Sequence, residues 1–341
     1  MRKLSKVDTL KLKIIEDISL GFLHPGDKVY SRHQFMRRYK CSRGSIDKAV
    51  AALVNEGFLF SRQGAGTFVA NRENISEKIE RVYLIGNFGK KNVYSQIFQT
   101  GSLAAELQKH VDCFLCDYAD VNVNLENISR PGSAVIWDHP GHNQMMVMNY
   151  LRQLDRRQIL VHRIFEDYEY ITIDYDAGIS TGLEWLKEWS DKVAFFTTHT
   201  HTSLPYIAER QLCFFETAIR KSIQVPADWF FNDIDRKDEN FDKIEKYALK
   251  IFKEGKPPRA IYADYCPHAA SILTAARTCG LEPGKDFRML VFDYEEFLGK
   301  TPGIAMIKQD MNVFKDKLVY WVANPQQKMK QRLKPELVFN K

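Results

Sequence analysis

Two runs of sequence decide how the first part of this chain folds: Ser42-Arg43-Gly44-Ser45-Ile46-Asp47-Lys48-Ala49-Val50-Ala51-Ala52-Leu53-Val54-Asn55-Glu56-Gly57 and Phe58-Leu59-Phe60-Ser61-Arg62-Gln63-Gly64-Ala65-Gly66-Thr67-Phe68-Val69. Ser42 is a helix N-cap type, and Ile46, Ala49, Val50 and Leu53 recur at helical spacing, so this helix buries them and turns Arg43, Gly44, Asp47 and Lys48 outward. Gly57 suits the residue just past a helix end. Phe58–Phe60 and Thr67–Val69 then read as two strands around the glycine-rich tip Arg62–Gly66. Upstream, Leu10, Ile14, Ile15 and Ile18 mark an amphipathic first helix, stopped by Gly21 and the turn His24-Pro25-Gly26-Asp27. Ser31 caps a short second helix, Arg32 to Arg38. Helix, short helix, turn, helix and hairpin make a winged helix-turn-helix.

Charge agrees with that reading. Residues 1–70 hold 13 Lys and Arg against 6 Asp and Glu, whereas the whole 341-residue chain carries a net +6. A basic module on a near-neutral body points to a polyanion partner, double-stranded DNA above all. A helix N-terminus presents free N–H groups and a positive dipole to phosphate, and an arginine there reaches phosphates or guanine edges in the major groove. The expected DNA-binding residues are Ser31 and His33 on the short helix, Ser42, Arg43, Gly44, Ser45, Asp47 and Lys48 on the third helix, and Arg62, Gln63, Gly64 and Gly66 on the wing. A winged helix used only for protein contacts would leave the charge segregation without a purpose.

These residues carry a resemblance. Pro25-Gly26-Asp27-Lys28, Cys41–Ile46, Leu53-Val54-Asn55-Glu56-Gly57 and Arg62–Val69 resemble the DNA-binding domain of the GntR family, over residues 10–69. His33 and Asp47 depart from it, standing where the family often has arginine. An Asp in the groove repels phosphate but accepts from a cytosine amino group.

Residues 71–80 are polar and read as a linker between a domain at 1–70 and one at 81–341. Beyond it, strand candidates (Val82–Gly86, Val111–Cys116, Ala134–Trp137, Ile159–His162, Val193–Thr197, Ala260–Ala263, Met289–Phe292) alternate with helical stretches. The latter include Gln96–His110, Ile179–Trp189, Ile207–Ser222, Phe241–Glu254 and Ala269–Gly280. Such alternation implies parallel sheets covered by helices, and the length calls for two lobes. Gly86-Asn87-Phe88-Gly89 lacks a dinucleotide fingerprint, no Walker motif occurs, and no cofactor is expected.

The large domain resembles the sugar-sensing half of LacI-family repressors, the two-lobed α/β fold of periplasmic sugar-binding proteins. The resemblance rests on Leu160–Arg163, Ile171–Gly178, Arg210–Phe214, Ala260–Leu281, Val291-Phe292-Asp293, Ile307–Asp310 and Pro335–Val338. It implies lobe crossings near 175, 290 and 309 and an effector cleft at the strand C-terminal ends. Arg163, Arg210, Asp293 and Gln309 would grip hydroxyls there, and Tyr94, beside Asn92, and Trp229 would face the C–H side of a sugar. Asp138 ends a strand and is a further candidate. His162 stands where the family has Asp before the arginine, and Tyr265-Cys266 replace its Asn-Asp, with Asp264 as a substitute. Fewer acceptors favour a pentose or deoxyhexose, of arabinose or fucose type, over a disaccharide.

The remaining signals are weak. Six cysteines are scattered, and Asp138-His139-Pro140-Gly141-His142 and His199-Thr200-His201 have loop character, so no metal is expected. No apolar run reaches the ~18–20 residues of a membrane span, and the N-terminus lacks an apolar leader, so a cytoplasmic location is expected. Gly-x-Ser-x-Gly is absent, and the pyridoxal-phosphate domain that some GntR-type chains carry has no counterpart, so no enzyme is expected. The combination resembles the arabinose-repressor group. It implies a homodimeric regulator on a two-fold operator, most often a repressor, whose DNA affinity a monosaccharide changes. The alternatives are a non-sugar metabolite or nucleobase as effector, and a sugar-binding module that does not touch DNA.

Overall fold

The structure, a computed structural model, describes residues 5–70, 78–88, 102–165, 167–199, 205–233, 241–254 and 256–339. At the N-terminus α1 (Lys6–Ser19) is capped by Ser5, and its Leu10, Ile14 and Ile15 are buried. Helix α2 (Arg32–Tyr39) opens on a capping box in which Ser31 and Gln34 bond to each other's backbone N–H. Helix α3 (Arg43–Asn55) is capped by Ser42 and buries Ile46, Ala49, Val50 and Leu53, as the spacing predicts. Gly57, at φ +74°, ends it in the left-handed conformation open to glycine. Strands β1 (Leu59–Arg62) and β2 (Gly66–Val69) form the antiparallel wing, and Lys28 bridges to Phe68 beside it.

The body is built from two six-stranded sheets. In chain order come β3 (Arg81–Gly86), α4 (Ser102–Leu107), β4 (Asp112–Asp117), α5 (Val121–Ile128), β5 (Ser133–Asp138), α6 (Met145–Gln153), β6 (Arg157–Val161) and β7 (Glu169–Ile173). They are followed by α7 (Tyr175–Lys187), β8 (Ala194–Phe196), α8 (Pro205–Arg220), β9 (Phe230–Phe231), α9 (Phe241–Lys253), β10 (Ala260–Ala263) and α10 (Cys266–Thr278). The last are β11 (Arg288–Phe292), α11 (Glu296–Gly299), β12 (Ile304–Lys308), α12 (Met311–Ala323), β13 (Lys330–Leu333) and β14 (Glu336–Phe339). One sheet has the order β13-β7-β6-β5-β3-β4 and the other β14-β12-β11-β10-β8-β9. Pairs β3–β4, β3–β5, β5–β6, β8–β9, β8–β10, β10–β11 and β11–β12 are parallel, and β14 runs antiparallel to β12. Strand order therefore reverses between β3 and β5 in one sheet and between β8 and β10 in the other. Open α/β sheets bind ligands beyond the strand C-termini at such reversals.

The chain divides into two units: 1–161 with 165–170 and 315–329, and 162–164 with 171–314 and 330–341. The expected strands are present within two residues at each end, whereas β7, β9, β12, β13 and β14 were not among the strand candidates. Of the expected helix Gln96–His110, Ser102–Leu107 is helical, and residues 96–101 lie outside the described ones. In the second unit α7 packs closely on its sheet: a Cβ at Gly182 would lie 2.4 Å from Leu290 Cδ2.

Candidate DNA-reading face and effector site

On the N-terminal domain, Ser31, His33, Ser42, Arg43, Gly44, Lys48, Arg62, Gln63 and Gly64 are exposed, and Ser45, Asp47 and Gly66 are half-buried. The Ser42 hydroxyl accepts from Ser45 N–H at 3.3 Å, leaving the earlier N–H groups of α3 for an anion. Gly44 has open space where a Cβ would stand, so a backbone can approach that turn. Asp47 does not stand alone: Arg32 Nε donates to its Oδ1 at 2.9 Å, and Arg43 Nε is 3.8 Å from its Oδ2. The repulsion expected of an acidic residue here is therefore offset by Arg32, an ion-pair partner the sequence reading missed. On the wing the Arg62 guanidinium lies 5.2 and 5.6 Å from the rings of Phe60 and Phe68, which stack on each other. Gly66 has φ +117°, and Lys28 Cε is 2.7 Å from where its Cβ would be. Glycine thus lets the Lys28 side chain cross the wing.

In the second unit, residues from distant segments meet beyond the C-terminal ends of β8, β10, β11 and β12. Arg210 on α8 is 4% exposed; its Nη1 donates to the Asp264 carbonyl at 2.9 Å and lies 3.9 Å from Asp293 Oδ2. Its guanidinium is 4.3 Å from the Phe292 ring centroid. Burial opposes the charge, but the Asp293 and Asp264 carboxylates more than offset it and raise its pKa. Gln309 Nε2 donates to Asp293 Oδ1 at 2.6 Å. Asp293 has φ +76° at the end of β11, which turns its carboxylate back toward these donors. Arg210 Nε and Gln309 Oε1 are buried with no hydrogen-bond partner among the described residues, a donor and an acceptor of the kind a hydroxylated ligand uses. Asp264 is buried and accepts from the Thr197 hydroxyl, which in turn accepts from Gln211 Nε2 at 2.8 Å. It therefore braces the reversal between β8 and β10. Arg163 pairs with Glu209, and burial draws its pKa down. His162, at φ +59°, packs tilted against Phe314 with ring centroids 4.7 Å apart, and Tyr265 is buried edge-on to His268.

Two other expected effector residues stand apart from this group. Trp229 directly precedes β9, whose Phe230 pairs with Phe195, so it sits at the opposite, N-terminal end of the sheet and packs against the core. Asp138 belongs to the first unit, where it ends β5, is buried, and bonds His139 Nδ1 at 2.7 Å. Asn92 and Tyr94 lie outside the described residues. Thr197, Glu209 and Gln211 belong to the cluster without having been expected there. A legible signal was Thr197-Thr198 closing an apolar strand, and Glu209 and Gln211 flanking Arg210.

Comparison with known proteins follows the same division. Residues 6–69 match the model of the bacterial regulatory proteins of the gntR family. Over 138 residues, 39% of this chain and 36% of the relative, the sequence is 35% identical to the arabinose metabolism transcriptional repressor of Halalkalibacterium halodurans. Over 76 residues, 22% of this chain and 29% of the relative, it is 33% identical to the probable fructoselysine utilization operon transcriptional repressor of Escherichia coli. The chain thus spans about a third of the length of these curated relatives. Among solved structures, a LacI family transcription regulator from Clostridium acetobutylicum superposes with TM-score 0.60 at 16% identity, covering 77% of this chain and all of that one. The lac repressor dimer bound to operator and the anti-inducer ONPF gives TM-score 0.60 at 16% identity, over 76% of this chain and 92% of that one. All four are transcription regulators rather than enzymes. No helix among the described residues is long and apolar enough to cross a membrane. Residues 6–69 of this chain are a helix-turn-helix domain of the GntR family, and the body that follows has the fold of LacI-family regulators.

Proposed function

We propose that this protein is a sugar-responsive transcription regulator, a repressor, that binds a two-fold operator as a homodimer and whose DNA affinity a monosaccharide changes. In this reading residues 1–70 bind DNA, 71–80 link, and 81–341 sense the effector in the cytoplasm. The observation that carries the sensing half is the convergence of Arg210, Asp293 and Gln309 at the strand C-termini, with Arg210 Nε and Gln309 Oε1 left for a ligand. Arg163 joins them as a second guanidinium on the same unit. A pentose or deoxyhexose suits a site where Asp264 is already engaged by Thr197. The names of the two curated repressors support a sugar or sugar-derived effector. Exposed Phe114 and Leu115 on edge strand β4 and Val123 on α5 support a self-complementary contact between two copies.

The test is a thermal-shift screen of the full chain against a monosaccharide panel, with phosphosugars and nucleobases alongside. A bound ligand at 100 times its Kd adds about 2.7 kcal/mol of stability. A pentose or deoxyhexose hit supports the reading, and a response to nucleobases alone overturns its sugar part. Duplex binding measured across salt concentrations tests the DNA part: a steep fall in affinity with salt is expected, and no binding at low salt overturns it.

A further inference from the structure

The DNA-binding domain is not joined to the rest of its unit by the linker alone. Lys11 on α1 is 4% exposed, and its Nζ bonds both Glu56, the C-cap residue of α3, and the Tyr150 hydroxyl on α6, the latter at 2.8 Å. The ammonium also lies 5.5 Å from the Tyr150 ring centroid. Tyr150 in turn reaches Asp8 Oδ1 at 3.5 Å. From the body, Arg156 adds a second cation that acts on Glu56, while its Nε donates to the Ser129 carbonyl at 2.7 Å. Asp8, Lys11 and Glu56 thus come from the winged helix, and Tyr150 and Arg156 from the body. One apolar cluster runs on across this seam, from Leu10, Ile14 and Leu53 to Met148 and Leu151.

We propose that α6 is a built seat for the DNA-binding domain, which it holds in a fixed orientation through Lys11, Glu56 and Tyr150 with the reading face open. On a freely tethered domain Lys11 and Glu56 would be an ordinary surface pair, contributing little and indifferent to what lies nearby. Buried, the same pair carries a desolvation cost that only good geometry and further hydrogen bonds offset, so it discriminates sharply between seatings. The Tyr150 hydroxyl supplies such a bond at one position. Arg43, Lys48 and Arg62 stay exposed while the domain is seated, so the seat and the DNA-reading face are different surfaces. On the regulator reading above, any movement of the first unit is passed to the domain through this contact.

Two full-length variants test the seat from opposite sides. Tyr150→Lys sets a like charge beside Lys11 and Arg156 while leaving the winged helix untouched. Lys11→Ala/Glu56→Ala removes both charges together, so neither is stranded, and leaves the body untouched. Small-angle scattering at matched concentration is expected to give both variants a larger radius of gyration than the native chain. Affinity for a random-sequence duplex, read by fluorescence anisotropy, is expected to stay the same in both. Native and variant chains with the same radius would overturn the seat. A gain of about tenfold in duplex affinity in both variants, or 1.4 kcal/mol, would overturn the open reading face, because the seated domain would then be masked. A native chain that binds no DNA while showing the scattering change would sink the regulator reading and keep the seat.

Discussion

Arg210 concentrates the effector question in one side chain. Its Nη1 holds the Asp264 carbonyl, Asp293 lies opposite, and Nε is left inside the cluster. A lysine keeps the charge but has neither the planar fork nor a second donor at that position. Arg210→Lys is therefore expected to abolish the thermal shift given by any sugar that stabilises the native chain, with duplex affinity unchanged. A retained shift would move the effector elsewhere. Asp47 poses the converse question on the other surface, since its carboxylate occupies Arg32 and approaches Arg43. Asp47→Asn is expected to free both guanidiniums for phosphate, tightening non-specific duplex binding and steepening its salt slope by about two units. An unchanged slope would mean that these arginines do not reach the backbone.

Among the elements, α3 depends on its first turn. Ser42 caps it through Ser45 N–H, and Ser42→Ala is expected to lower the stability of the winged helix by about 1 kcal/mol, seen as an earlier urea transition. Edge strand β4 and neighbouring α5 carry Phe114, Leu115 and Val123 in the open, Val123 being 71% exposed. Leu115→Glu with Val123→Glu is expected to shift sedimentation toward monomer with the far-ultraviolet circular dichroism unchanged and a lower melting temperature. A dimer that survives would have its interface elsewhere. The N-terminal elements were legible because each carries its own punctuation: Ser31, Ser42, Gly57 and a helical period in Ile46, Ala49, Val50 and Leu53. Of the strands outside the candidates, β7, β12 and β14 do carry apolar residues, but two lack any such run. Strand β9 has two residues, and β13 (Lys-Gln-Arg-Leu) is mostly polar, so neither offers an apolar run to see. The effector cluster was half legible. Arg163, Arg210, Asp293 and Gln309 were expected from the resemblance to LacI-family sensors, but an aromatic type says nothing about which end of a strand it stands at, and Trp229 stands at the end away from them. The Arg32 partner of Asp47 lies 15 residues away and exists only once α2 and α3 pack together.

At the scale of the whole molecule, the two halves of the function are expected to separate cleanly. Arg43→Ala should weaken duplex binding and leave the sugar response intact, while Asp293→Ala should do the reverse. A chain that loses both together has unfolded, which circular dichroism reads directly. The strand β14 has a further consequence. It closes the second unit's sheet against β12, while residues 315–329, just before it, belong to the first unit. Neither unit of the body can therefore be completed until nearly all of this sequence has left the ribosome. The winged helix buries Phe35, Ile46, Ala49 and Leu53 among residues that emerge before those of the body. Vectorial synthesis would thus expose a basic helix-turn-helix domain ahead of the body it packs against.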